Sequence, residues 1–385
     1  MKSELSSVDI SILTRELNKL LKNARIDNIY QIGERELKIR VFTKERGVED
    51  LIITPKFLCI SRYVRKSPEK PTSFAMQMRK YLKGLFIKDV RQYNFDRIVK
   101  FSIEGKNIRY LLISEFFSSG NIILCDEGGR ILGILEWQKW RHRRLGVGQI
   151  YKYPPKCINP TKINEDTLKE IIQGSNRRIV SILAIDLNLG GLIAEEICLR
   201  AGINKEIDSS SIKDDEIGEI LKNIKNIMKK VENYDIEPLL ILDSDNYPID
   251  AIPFSLKIYS RYKSKKLKSF NLAVDELFSM REIEEKRRKI EDMFKKKLTK
   301  LQRIEEEQRR NIERLKEEYK NSKRIGDLIY QNFHCIDEII NTVKSAKKMG
   351  YSWDEINNKL SGKTIDKLKI LTINKDGSII LKYDI

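Results

Sequence analysis

Over residues 7–22 apolar side chains recur at helical spacing. Ile10, Leu13, Leu17, Leu20 and Leu21 fall on one face, which predicts an opening helix. The period then drops to two over 28–32, 36–42, 51–54 and 57–61, with Gly33 and Gly47 between runs, as in strands of an antiparallel sheet. Helical spacing returns over 73–85. Alternation resumes over 98–103, 109–114 and 121–125, with turns at Gly105, Gly120 and Gly128-Gly129. Tyr153-Pro154-Pro155-Lys156 ends this pattern and marks a domain edge.

From 161 to about 220 the chain reads as helical, with a short turn at Asn188-Leu189-Gly190-Gly191 before a helix that stops at Gly202. Residues 243–248 read as a turn and 250–259 as extended chain. Residues 275–322 contain neither Gly nor Pro, and Leu298, Leu301, Ile312, Leu315 and Tyr319 share one a/d frame interrupted by polar Glu305 and Gln308. A helix of that length would span about 72 Å. A second helical stretch over 324–348 is expected to fold back on it as an antiparallel partner. Residues 368–383 predict a hairpin turning at Lys375-Asp376-Gly377. The fold class is therefore α+β, divided at 1–158, 159–270, 271–350 and 351–385.

Charge narrows the class of partner. Lys and Arg number 74 against 56 acids, for a formal charge of +18. Residues 1–160 hold 31 bases and 17 acids, 161–260 hold 12 and 18, and 261–385 hold 31 and 21. Two basic lobes flank an acidic middle, which directs attention to nucleic acid or an anionic membrane. No run of apolar residues is long enough to span a bilayer, so no membrane partner is expected. No apolar stretch follows Met1 as in a secretory signal, and the five cysteines lie at least 32 positions apart without a CxxC pair. A cytoplasmic protein with reduced thiols is expected. His142 and His334 are the only histidines and have no partner at metal-ligand spacing, so neither a metal nor any other cofactor is expected.

Familiar catalytic motifs fail on inspection. Ser361-Gly362-Lys363-Thr364 lacks the earlier glycine of a phosphate loop, since residue 357 is Asn. Asp243-x-Asp245 begins like a calcium loop, but Pro248 and Phe254 stand where it needs Gly and Glu. Gly146-Val147-Gly148 meets Tyr151 where a dinucleotide fingerprint has its third glycine.

Four segments carry positive signals. In Trp137-Gln138-Lys139-Trp140-Arg141-His142-Arg143-Arg144, indoles could stack on bases while the arginines neutralise phosphates. The other reading is a core tryptophan with a solvated arginine rim. Residues 73–84 form an amphipathic helix with Phe74, Met78, Tyr81 and Leu82 on its apolar side. Arg79, Lys80 and Lys83 there form either a phosphate-binding face or an ordinary solvated one. Asn94-Phe95-Asp96-Arg97 enters a strand, where Asp96 and Arg97 would point to opposite faces and not pair. Together they offer an acceptor and a guanidinium fork for polar edges. Gly190 and Gly191 between helices suggest a hairpin whose backbone N–H groups approach phosphate, although Asp186, Glu195 and Glu196 make the surroundings acidic.

In order along the chain, these residues resemble one family, the NFACT proteins of ribosome-associated quality control (NEMF in animals, RqcH in bacteria). The resemblance rests on Asp9, Met78-Arg79-Lys80-Tyr81-Leu82-Lys83-Gly84, Phe95-Asp96-Arg97-Ile98-Val99, Glu115, Gly120-Asn121-Ile122-Ile123-Leu124, Tyr151 and Pro154-Pro155. It continues through Gly190-Gly191, Ala194-Glu195-Glu196-Ile197, Arg200-Ala201-Gly202, Ala273-Val274-Asp275-Glu276-Leu277-Phe278 and Ile329-Tyr330-Gln331-Asn332. It implies an NFACT-N domain similar to the N-terminal lobe of formamidopyrimidine-DNA glycosylases, then a helix-hairpin-helix domain and a long coiled-coil arm. No counterpart of the family's NFACT-R domain falls within these 385 residues.

What the resemblance implies about function is specific. Such proteins bind the large ribosomal subunit carrying a trapped peptidyl-tRNA and hold an incoming tRNA for untemplated C-terminal tailing of the nascent chain. The family's requirement for an Asp-Arg pair carries over to Asp96 and Arg97. The ribosome would make the peptide bond, so no enzyme and no small-molecule substrate are expected here. Two alternatives are a DNA-glycosylase-like enzyme or a general RNA-binding module. The glycosylase lacks support at residue 2, which is Lys rather than a proline supplying an amine. Some members are labelled fibronectin-binding, which implies a surface location for which this sequence offers no visible route.

Overall fold

Ser6 starts the first helix, α1 (Ser7–Leu21), through a reciprocal cap. Its hydroxyl accepts from the Asp9 backbone N–H, and the Asp9 carboxylate accepts from the Ser6 N–H. Strands β1 (Ala24–Ile32), β2 (Glu36–Thr43), β3 (Gly47–Ile53) and β4 (Leu58–Ser61) follow, then α2 (Ser73–Leu82). After it come β5 (Phe86–Gln92), β6 (Ile98–Glu104), β7 (Arg109–Glu115), β8 (Asn121–Asp126) and β9 (Ile131–Ile134). These nine strands form one antiparallel sheet in the order β4-β3-β2-β1-β5-β6-β7-β8-β9. A small ribbon pairs β10 (Gln138–Lys139) with β11 (Arg144–Leu145). The computed structural model describes residues 2–140, 143–155 and 157–383.

The alternation of side chains feeds two cores. On β7 and β8, Leu112, Ile122 and Leu124 face the main core, while Ile113, Ile123 and Cys125 face a second cluster with Leu145 and Tyr151. β5 is a strand that period-two reading misses. Its register slips between Ile87 and Asp89, so the buried side chains Ile87 and Val90 stand three apart.

The middle of the chain holds α3 (Glu165–Gln173) and α4 (Ile179–Ser181), which runs on as a π turn over Ile182–Asp186. Then come α5 (Gly191–Ala201) and α6 (Asp214–Asn233). A small sheet follows, ordered β13 (Pro248–Ile252), β12 (Leu239–Leu242), β14 (Lys263–Lys266). The helical run expected from 161 to about 220 is thus broken into short pieces, with α6 continuing to Asn233. The molecule divides into two compact units, residues 1–287 and 288–385. In the first, one apolar core extends from Leu5 to Phe278 and includes α1, the sheet, α5, α6 and the start of α7 (Phe270–Gln331). The boundaries expected at 158 and 270 both fall within it.

Helix α7 has 62 residues, about 93 Å of helix. Its beginning is gripped by Glu16, whose carboxylate accepts from the Phe270 and Asn271 N–H groups at 2.8 and 2.7 Å. The antiparallel partner expected over 324–348 is not formed. Residues 324–331 continue α7, and α8 (Phe333–Lys348) turns its apolar face elsewhere. Ile339 and Val343 pack with Ile356 of α9 (Trp353–Leu360) and with Leu368, Ile370 and Ile373. The small sheet there joins β15 (Thr364–Ile365), β16 (Leu368–Ile373) and β17 (Ile379–Tyr383). Its hairpin turns through Lys375-Asp376-Gly377, with Gly377 at φ 81° and the Asn374 N–H donating to Ser378 O. Among the described residues, no helix is long and apolar enough to cross a membrane.

Candidate nucleic-acid interface

The turn between β5 and β6 sets the first part of the site. Asn94 and Phe95 both adopt left-handed backbone, φ 45° and 55°, and the Asp96 N–H donates to Tyr93 O at 2.8 Å. This is the geometry of a tight hairpin turn usually filled by Asn-Gly. Phe95 tolerates it because its ring is buried in the main core. Asp96 and Arg97 therefore belong to a turn, not to the strand that begins at Ile98. The Asp96 carboxylate accepts from the Arg97 backbone N–H at 2.6 Å, and the Arg97 guanidinium instead pairs with Glu4.

A residue 92 positions away holds this turn. Asn188, itself left-handed at φ 54°, donates from its side-chain amide to Phe95 O at 3.0 Å and to the Asp96 carboxylate at 3.3 Å. Gln92 adds a second tie, donating to Asp96 O and to Ser7 O at the start of α1. Two segments singled out separately by sequence, the Asp-Arg turn and the Asn188–Gly191 hairpin, are thereby one assembly. Gly190 (φ 79°) opens α5, which no side chain caps, and a Cβ there would come within 3.0 Å of the Ser6 side chain.

Asp9, Asp96, Arg97, Gly190 and Gly191 all line one open cavity of about 980 Å³. Its floor is a buried charge cluster. The Lys2 ammonium donates to the Asp9 carboxylate at 3.0 Å and to Ala251 O at 2.5 Å, and lies 3.1 Å from Asp250. Burial would lower the Lys2 pKa, but Asp250 and Asp9 outweigh it and hold the ammonium above its usual value. Asp9 is thus fully engaged, by Lys2, the Ser6 N–H and the Ser6 hydroxyl, and its effect on the cavity is to fix residues 2–6 along the wall. Cys157 also lines the cavity. Burial and, secondarily, Asp96 push its thiol up, away from the thiolate a nucleophile requires.

The remaining candidate residues lie apart from this cavity. Arg79 is half-buried, donating to Ile29 O at 2.6 Å with its guanidinium 4.9 Å over the Tyr30 ring, while Lys80 and Lys83 are exposed. Trp137 is 54% exposed with Arg144 5.3 Å over its ring, whereas Trp140 packs against the second core cluster. Arg143 is no phosphate ligand in this arrangement. It makes two bonds to Glu115, at 2.7 and 2.8 Å, with side-chain exposures of 6% and 1%, and Tyr151 donates to the same carboxylate. Arg141 lies outside the described residues. Among the described residues, no cluster of three or more His, Cys, Asp or Glu side chains could hold a metal.

The family pattern for NFACT N-terminal and middle domains matches residues 6–374. The chain belongs to the NFACT family. An archaeal Rqc2 homolog, aRqcH of Methanocaldococcus jannaschii, is 31% identical over 360 residues, covering 90% of this NFACT chain and 53% of the relative. Ribosome quality control complex subunit NEMF of Mus musculus is 26% identical over 92% of the chain and 36% of its own length. The chain thus spans about half of the archaeal relative and about a third of the mouse one. Among solved structures, the N-terminal part of the fibronectin/fibrinogen-binding protein of Streptococcus suis superposes with a TM-score of 0.57 at 22% identity, over 72% of this chain and 99% of that one. That likeness extends the shared fold.

Two buried carboxylates among the family-like residues of this NFACT chain hold backbone in place, Glu196 beside the cavity wall and Asp275 at the end of β4, away from the cavity. Glu196 is fully buried, and its two oxygens accept from the Lys257 and Ile258 N–H groups at 2.8 and 3.0 Å. Asp275 accepts from the Ser61 hydroxyl and the Arg62 N–H at 2.7 and 2.9 Å. Sequence reading also gave no site role to Asp250 or to a Lys2 ion pair, did not connect Asn188 to Asp96, and missed the segment 257–268, which straddles the charge windows that meet at residue 260.

Proposed function

We propose that this chain acts in ribosome-associated quality control. It binds a large ribosomal subunit carrying stalled peptidyl-tRNA and holds an incoming tRNA for untemplated C-terminal tailing. The observation that carries this reading is the convergence of Asp9, Asp96, Arg97 and the uncapped start of α5 on one cavity, lined both by the basic N-terminal lobe and by residues of the acidic middle. Such a site combines the Asp96 acceptor, a guanidinium fork whose ion-pair partner among the described residues is the solvent-facing Glu4, and a helix start that no described side chain caps, a set suited to grip RNA edges and phosphates. The names of the archaeal and mouse relatives point the same way.

In this reading the protein works in the cytoplasm, needs no cofactor and makes no covalent bond itself. Lys2 is held protonated between two carboxylates, so it is a poor amine for the imine chemistry of a glycosylase. Borohydride reduction with abasic DNA at neutral pH should therefore trap no adduct; a covalent adduct through Lys2 would restore the enzyme alternative. Binding is tested by sedimentation with purified large subunits bearing peptidyl-tRNA. The protein should travel with them and retain added tRNA, and the Asp96→Ala/Arg97→Ala protein should lose the added tRNA. Failure of the unaltered protein to bind either subunits or tRNA would defeat the proposal.

A further inference from the structure

Residues 257–268 carry six Lys or Arg and no acid. The segment leaves the cavity wall, which includes Ile258, Tyr259 and Tyr262, and becomes β14, an edge strand of its small sheet. Lysines on an edge strand are accounted for by protection against edge-to-edge pairing. The tyrosines are not. Tyr259 donates its hydroxyl to the buried Asp250 at 2.5 Å, and Asp250 is in turn fixed by Lys2. Tyr262 packs edge-on against Tyr259, with centroids 5.4 Å apart and planes at 84°, yet remains 48% exposed. Upstream, Glu196 clamps the backbone of Lys257 and Ile258. A rigid aromatic ring with solvent access thus stands at the cavity rim, followed directly by cations. Lys266 is taken up by Glu237, and Lys263 makes one long 3.4 Å bond to Asn246. Arg261 and Lys265 are exposed and have no ion-pair partner among the described residues.

We infer that residues 261–265 form a second RNA-contacting element. Tyr262 stacks an unpaired base at the rim of the cavity while Arg261, Lys263 and Lys265 neutralise adjoining phosphates. The inference rests on the reading of the cavity as an RNA site and names the part of the chain that extends it. Stacking needs a ring, and phosphate contact needs charge, so the two halves are separable.

The test is equilibrium binding of bulk tRNA to the full chain over a series of salt concentrations. Tyr262→Ala should weaken binding about tenfold, with Tyr262→Phe close to the unaltered protein. Arg261→Gln/Lys263→Gln/Lys265→Gln should flatten the slope of log affinity against log salt by about 2, three contacts at about 0.7 each. Unchanged affinity for Tyr262→Ala together with an unchanged slope for the triple variant, while Arg97→Ala still loses binding, would overturn this element and leave the proposed function standing. No tRNA binding by the unaltered chain would overturn both.

Discussion

Helix α7 passes through two very different environments. At its start Phe270, Ala273, Val274 and Leu277 are buried in the main core, and Glu16 satisfies its first N–H groups. Farther on, Leu298, Leu301, Ile312, Leu315 and Tyr319 repeat at a/d spacing and are each more than half exposed. In residues 1–287 the buried carboxylates Glu16, Asp96, Glu115, Glu196 and Asp275 each grip a backbone amide or a cation, and those bonds tie together segments distant in sequence or fix a turn. In residues 288–385 the apolar core is small, and the long helix shows a seam that stays exposed among the described residues. Periodicity therefore reports which face of a helix is apolar, but only tertiary structure reports whether the rest of the chain buries it.

The contrast can be broken most sharply at Glu115. Glu115→Ala leaves the buried Arg143 guanidinium without its carboxylate, and urea unfolding should register a loss of about 3–5 kcal/mol. A loss below about 1 kcal/mol, the range of surface pairs, would show that Arg143 is not committed to the interior. A smaller effect is expected at Asn188. Asn188→Ala removes two side-chain hydrogen bonds and a side chain suited to left-handed backbone, at a cost of about 1–2 kcal/mol. Its tRNA affinity should fall as far as that of Asp96→Ala, because both disorder the same turn. Stability loss with undiminished affinity would make Asn188 structural only. The smallest effect belongs to the seam. Leu301→Ala should change stability by less than about 0.5 kcal/mol, whereas Leu17→Ala in the main core should cost about 2–5 kcal/mol. Comparable costs at both positions would mean that the seam is covered in solution.

Much of the sheet was legible because its strands obey a period of two, and α1 and α2 because their apolar positions obey the helical period. β5 was not, since its bulge replaces the expected spacing and Lys88, Asp89 and Arg91 dilute the apolar signal. For the site, sequence brought out Asp96, Arg97 and the Asn188–Gly191 turn, yet nothing local says that Asn188 holds Asp96. The same holds for Arg143, whose role depends on Glu115, 28 positions away. Long-window composition hid the basic rim at 257–268, because the segment straddles the boundary at 260 and its five cations beyond it are pooled with the 31 bases and 21 acids of residues 261–385. Pairings across the fold and charge on a short segment are what one-dimensional reading loses.

The most direct test is to crosslink the protein to RNA in its own cells and sequence what is recovered, comparing the unaltered protein with Asp96→Ala/Arg97→Ala. The account predicts large-subunit RNA with both, and tRNA with the unaltered protein alone. Equal tRNA recovery by the two, or RNA without enrichment of the large subunit, would contradict it.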